Sequence, residues 1–346
     1  MPTLGSIFNH KKEARSFEED NTLPLSKCAI GIEIELEGIA NNNNDVGGIE
    51  GVEAREELRV RTNLRGEQVV ERIPAPPRFL VTSTQSASHN NLSMWDIHRD
   101  DSLRNNGIEF VTSKVYGKDI SLALDELNDH LLKLNPICSP RTSVHVHLDA
   151  RNLDLQQLAN LTALYLIFER TLFTLVDRSR KNNIFCLPHY SSTDSMAMLS
   201  IVLAGDKLES VGTYIKTQAK KYNAYNLLPL DHYGSIEFRH HHGEWRKEPL
   251  LNWIKVILHL KRYIMYTNNI SINYMLGLAE NDPNRFLLEV FKGAVAPYEY
   301  LREHLLKGAD FVRSLLVINP SSQGYKKPSR TKVGNIFNSI HKEESE

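Results

Sequence analysis

The sequence predicts an α+β fold in which an antiparallel sheet carries the chemistry and helices cover its other face. Three observations lead there. Four short stretches alternate apolar residues with ionisable ones, several longer stretches repeat apolar residues at helical spacing, and no Gly-rich phosphate loop opens a parallel βαβ unit anywhere in the 346 residues.

The alternating stretches are Gly31–Glu37, Gly107–Phe110, Ser143–Asp149 and Ser235–His241. Successive side chains on a strand point to opposite faces, so each stretch divides into a packing set and a chemical set. The packing set is Ile32, Ile34, Leu36, Ile108, Phe110, Val144, Val146, Leu148, Ile236 and Phe238. The chemical set is Glu33, Glu35, Glu37, Glu109, His145, His147, Asp149, Glu237, Arg239 and His241, with His240 and His242 facing away. Carboxylates at i and i+2 lie roughly 7 Å apart and repel by about 2 kcal/mol at an effective dielectric near 20. One such strand is ordinary solvated surface. Four, two of them holding His-x-His and Glu-x-Arg, call for cations.

Several Glu with one or two His suit a hard cation, Mg²⁺ or Mn²⁺, better than zinc. Glu33, Glu35, Glu109 and Glu237 are the expected ligands. One of His145 and His147 is expected to ligate and the other to contact phosphate or substrate. Arg239 can neutralise charge on a transferring phosphoryl group.

The rest of the chain frames these strands. Residues 1–26 are polar and read as a loosely held extension. Asn41–Asp45 and two glycines form a loop, and about 40–92 reads as an insertion, with Pro74, Pro76 and Pro77 between Val69-Val70 and Phe79–Val81 as the arms of a hairpin. Ile120, Leu124, Leu127, Leu131 and Leu134 recur at helical spacing until Pro136 and Pro140. A helix runs from an N-cap at Asp154 to Val176, and residues 249–267 and 297–317 carry further helical patterns. One catalytic domain, 27–319, and a flexible polar tail, 320–346, result.

Composition narrows the class. Hydrophobic content of 41% and charged content of 24% are ordinary for a soluble protein, and a net charge of −1 gives no general bias toward nucleic acid or membrane. Three cysteines fit neither a disulfide framework nor a zinc ribbon, which points to a reducing compartment. The N-terminus lacks the apolar core of a signal peptide, and Glu169 and Arg170 interrupt the apolar run 161–176, so a cytoplasmic location is expected. Cys186 near His189 lacks an oxyanion device and reads as a structural thiol.

An ordered set of motifs goes further. Gly31-Ile-Glu-Ile-Glu35, Trp95 with Asp100-Asp-Ser-Leu103, Gly107–Phe110, His145-Val-His147, Arg180 through Pro188, Tyr222 with Asn226-Leu227, and Ile236–Gly243 together resemble the amidoligases. These are carboxylate–amine ligases related to glutamine synthetase and glutamate–cysteine ligase. The resemblance covers roughly 28–245. It implies a curved antiparallel sheet of the glutamine synthetase kind, its convex face covered by helices, its concave face binding ATP and divalent ions. Glu33, His145 and Glu237 would hold the metal bridging the terminal phosphates, and Glu35 and Glu109 the metal on the acceptor side. His147 and Arg239 would contact the γ-phosphate, Asp100 would lie near the amine or a metal, and Arg180 and Asn226 would contact the nucleotide. The partners would be a small-molecule or peptide carboxylate and an amine; a homo-oligomer stays open. Asp101 replaces a usual glycine, Glu244 a small hydroxyl residue, and Lys221 a common arginine. Two other classes compete: an iron-dependent cupin-like oxygenase or isomerase, and a nucleotide- or metal-binding relative without turnover.

Overall fold

The computed structural model describes residues 3–4, 18–38, 49–62, 68–81, 92–100, 102–103, 107–132, 134, 136–191, 196–204 and 208–318. The strands are β1 (Ile30–Leu36), β2 (Ile49–Thr62), β3 (Gln68–Val81), β4 (Trp95–Arg99), β5 (Ile108–Thr112), β6 (Ser143–Asp149), β7 (Tyr225–Asn226) and β8 (Ser235–His242). The helices are α1 (Lys118–Leu131), α2 (Leu155–Leu172), α3 (Met196–Ala204), α4 (Leu208–Gln218), α5 (Pro229–His232), α6 (Lys247–Tyr266), α7 (Ile272–Asn281), α8 (Pro283–Phe291) and α9 (Leu301–Ile318). Six strands form one open antiparallel sheet in the order β4-β5-β1-β6-β8-β7, and the fold is mixed α/β.

All four alternating stretches enter this sheet. Ile32, Ile34, Leu36, Phe110, Val144, Val146, Leu148, Ile236 and Phe238 are wholly buried on one face, each stabilising the sheet by about 1.5–3 kcal/mol. Helix α2 packs there through Tyr165, which stacks on Tyr225 at 4.2 Å and meets Phe238 edge-on at 6.1 Å. Its N-cap is Asp154, in a capping box: Gln157 N donates to Asp154 Oδ1 at 2.8 Å and Asp154 N donates to Gln157 Oε1 at 3.0 Å. The helix stops at Leu172, short of Val176. Helix α9 lies against it where Gly308 meets Ile167; a Cβ on Gly308 would sit 2.3 Å from Ile167 O. Trp95 braces the edge strand β4, its Nε1 donating to Ala123 O of α1 at 2.8 Å.

The described part of the N-terminal stretch is anchored. Leu4, Leu23 and Leu25 are buried, and Leu4 N donates to Leu153 O at 2.7 Å, so a loosely held extension does not describe these residues. Within the insertion, β2 and β3 pair with each other, from Ile49 opposite Val81 to Thr62 opposite Gln68. The expected hairpin is therefore present with different arms, since Val69-Val70 and Phe79–Val81 both belong to β3. A two-stranded ribbon has open edges on both sides, so prolines that would break a central strand are tolerated. The Asn41–Asp45 loop, Asp101 and the tail beyond 318 lie outside the described residues. Among those described, no helix is long and apolar enough to cross a membrane.

Candidate functional site

The other face of the sheet gathers the ionisable side chains by register. Glu33 pairs with His145, Glu35 with Glu109, and His147 with Glu237. Cross-strand partners share a face within about 5 Å, so three adjacent pairings suffice to build a cluster.

Hydrogen bonds fix its members. His145 is buried; its Nδ1 lies 3.1 Å from Glu33 Oε2 and 3.4 Å from Glu237 Oε1, and its Nε2 lies 2.7 Å from Ser143 Oγ. Ser143 Oγ donates in turn to Glu35. His147 Nε2 stands 3.0 Å from Glu33 Oε1, an ion-pair contact off the hydrogen-bond axis, and Nδ1 lies 3.1 Å from Ser235 Oγ. Asp100, between β4 and β5, accepts from Ser102 N at 2.7 Å and Ser102 Oγ at 2.9 Å.

Electrostatics follow from this packing. Burial pushes Glu33 up, but the His145 and His147 contacts outweigh it and hold the carboxyl well below the usual range. Burial likewise pushes His147 down, and Glu33 beside it outweighs that and holds the imidazole above its ordinary value. Glu109 has no such relief: burial first, then Glu33 and Glu35, push it up to about 7.

Three donor sets could each hold an ion, with their ligand atoms within 4.8 Å of one another: Glu33, Glu109 and His145; Glu33, His147 and Glu237; and Glu35, Asp100 and Glu109. Glu33, Glu35, Glu109, His145 and Glu237 are thus together. The grouping differs from that implied by the resemblance, because His147 rather than His145 completes the set with Glu33 and Glu237, while Asp100, expected near the amine or a metal, lies with Glu35 and Glu109.

Arg239 also lies on this face. Its Nη1 donates to Glu237 and its Nε to Phe185 O at 3.3 Å. Asn226 is the cross-strand partner of Glu237 on the same face: Nδ2 donates to Glu237 Oε2 at 2.6 Å while Oδ1 accepts from Leu228 N at 3.0 Å, so it orients a carboxylate. Arg180 is fully buried, with Nη2 donating to Arg239 O at 2.8 Å and Nε to His240 O at 3.2 Å. It braces the strand beneath the site rather than reaching into it, while Arg178 and Lys181 are exposed.

His241 departs from the expected row. Val146 pairs with Phe238 but Val144 with His241, so β8 carries one extra residue there. This β-bulge resets the alternation. The His241 ring lies 5.7 Å from Trp253 of the covering helix α6, as His240 does at 5.6 Å, and His240 Nε2 lies 3.0 Å from Tyr165 Oη. Asp149 is taken by Arg151, whose Nε donates at 2.8 Å. Burial pushes the Cys186 thiol up to about 11, in keeping with a structural cysteine. Glu244 is buried and accepts from Trp245 N and Arg246 N, both at 2.9 Å, at the entrance to α6.

Two clefts flank Glu33, which lines both. One, of about 690 Å³, is mainly apolar and has Gly31, Ile32, Thr112, His147, Tyr233 and Ser235 in its walls. The other, of about 770 Å³, has Glu33, Glu35, Asp100 and Glu109 together with Arg141, Lys221 and Arg239. Phe185 and Tyr222 also line it. The sequence reading missed Arg141, which sits on a connection without periodicity, and did not single out Phe185 within the Arg180–Pro188 stretch.

A family model described as "putative amidoligase enzyme" matches residues 26–261, a span that contains every residue of this site. No curated protein matches the chain.

Proposed function

Because the chain belongs to the amidoligase family, we propose that it is an ATP-dependent ligase joining a carboxylate to an amine, on a sheet of the glutamine synthetase kind. The observation that carries this reading is the triple donor set sharing Glu33 and Glu109, with Arg239 on the same face. Five carboxylates against two imidazoles fit Mg²⁺ or Mn²⁺. Glu33, Glu35, Glu109 and Glu237 would hold the ions with His145, His147 and Asp100. The ions would supply charge neutralisation at the phosphate oxygens.

The apolar cleft suits a nucleoside and the charged one suits the acid and amine, with Glu33 at their boundary. In the proposed reaction a carboxylate oxygen takes the γ-phosphoryl group and ADP leaves. The amine nitrogen then attacks the acyl carbon, phosphate departs, and the amine loses a proton. Arg239 and His147 stabilise charge on the transferring group, and Asn226 keeps Glu237 oriented. Such catalysis is chiefly positioning. The cupin-like reading is not favoured, because the sheet is open and its site is dominated by carboxylates.

The test is ADP and phosphate release from Mg²⁺-ATP with pooled carboxylic acids, pooled amines, and both. Release that requires both pools is expected. ATP left intact under all three conditions would refute the reading.

A further inference from the structure

We infer that Ser143 is a positioning residue for two of the ions. Its hydroxyl fixes which ring nitrogen His145 offers to a metal, and it ties that donor set to its neighbour through Glu35. This rests on the metal-dependent reading of the site, but the binding it foresees needs neither ATP nor turnover.

Ser143 opens β6 two residues before His145, so both side chains lie on the ionisable face of the sheet. The serine is buried there. Its Oγ meets both Glu35 Oε2 and His145 Nε2, the latter at 2.7 Å. Glu35 belongs to the donor set with Asp100 and Glu109, whereas His145 belongs to the set with Glu33 and Glu109. One hydroxyl therefore touches a member of each.

A hydroxyl has one proton to give, and an ionised carboxylate can only accept. Ser143 therefore donates to Glu35, and its contact with His145 is closed by a proton on Nε2. The neutral ring then has its lone pair on Nδ1. That nitrogen lies 3.5 Å from Arg239 Nη1, a group that can only donate. It also faces Glu33 Oε2 at 3.1 Å, its companion in the donor set. With Nε2 protonated, Nδ1 can meet that carboxylate only through a second proton or a cation. A histidine that ligates a metal needs this arrangement, one nitrogen bare and the other held as N–H by an acceptor. Removing the hydroxyl would release the imidazole tautomer and the Glu35 carboxylate at once.

The experiment is titration of the full chain with Mn²⁺ in the absence of nucleotide, the free ion being read by electron paramagnetic resonance. Ser143→Ala is expected to weaken Mn²⁺ binding by about 10–100-fold, the usual scale for a group that orients metal ligands. Ser143→Thr keeps the hydroxyl and is expected to recover most of the affinity. Thermal melts of the variants establish that they are folded. The tautomer is read in the parent chain itself, from long-range nitrogen–proton correlations in the magnetic resonance spectrum of the Mg²⁺-loaded protein, with His145 assigned by the signal lost in His145→Asn. A proton on Nε2 and none on Nδ1 is expected. Parent-like Mn²⁺ affinity in Ser143→Ala, or His145 protonated on Nδ1 in the loaded protein, would overturn the inference and leave the ligase reading intact. A parent chain that binds no Mn²⁺ would overturn both the inference and the metal-dependent reading beneath it.

Discussion

Glu35 on β1 and Glu109 on β5 are direct partners in the antiparallel register. Two acids in a cross-strand pair repel, and burial, Glu33 and Glu35 together push Glu109 up to about 7. The sheet therefore gathers like charges whose repulsion the proposed cation would relieve.

A pH-dependent stability follows. Folded Glu109 keeps its proton up to about 7, whereas an unfolded glutamate releases it near 4.5. Between these values the unfolded chain binds fewer protons, so this group lowers stability as pH rises through the window and costs most above 7. After discounting for solvent screening the cost is on the order of 1–2 kcal/mol. Melting curves should show Mg²⁺ stabilising the protein more at pH 8 than at pH 5. Glu109→Gln should raise the metal-free melting temperature at pH 8 and remove the Mg²⁺ gain.

Glu35→Gln and Arg239→Lys should each reduce ATP turnover by about a thousandfold with the fold retained. The lysine keeps the charge but loses the planar fork that spans Glu237 and Phe185 O. Full turnover in either variant would remove that residue from the site.

Arg180→Met should lower unfolding stability by about 2–4 kcal/mol in urea titrations, because two carbonyls at the β8 bulge lose their donors. A variant of unchanged stability with weakened nucleotide binding would instead restore the expectation that Arg180 contacts the nucleotide.

Gly308→Ala should destabilise by about 1–3 kcal/mol, since the added methyl would meet the Ile167 backbone. A melting temperature equal to that of the parent chain would mean that α2 and α9 can separate without cost.

Period two made most of the site legible. Alternation alone assigned Glu33, Glu35, Glu109, His145, His147, Glu237 and Arg239 to one face, and the register unites them. It failed at His241, because a bulge adds a residue that no local pattern announces. It was silent on Arg180 and Asn226, whose partners are a strand backbone and a carboxylate distant or oblique in sequence. Helix α3, Met196–Ala204, is apolar nearly throughout and offers no face to read, and β4 is a short edge whose Trp95 is explained only by α1. Arg141 acquires meaning only when Ser102 and Phe185 are brought beside it.

The central claim is that a carboxylate is activated by phosphorylation. It is tested most directly by following heavy oxygen from a labelled acid substrate during turnover with Mg²⁺-ATP and an amine. Label is expected in the released phosphate, because the oxygen that captures the phosphoryl group leaves with it. Amide formed with unlabelled phosphate, the lost carboxylate oxygen appearing elsewhere, would contradict the account.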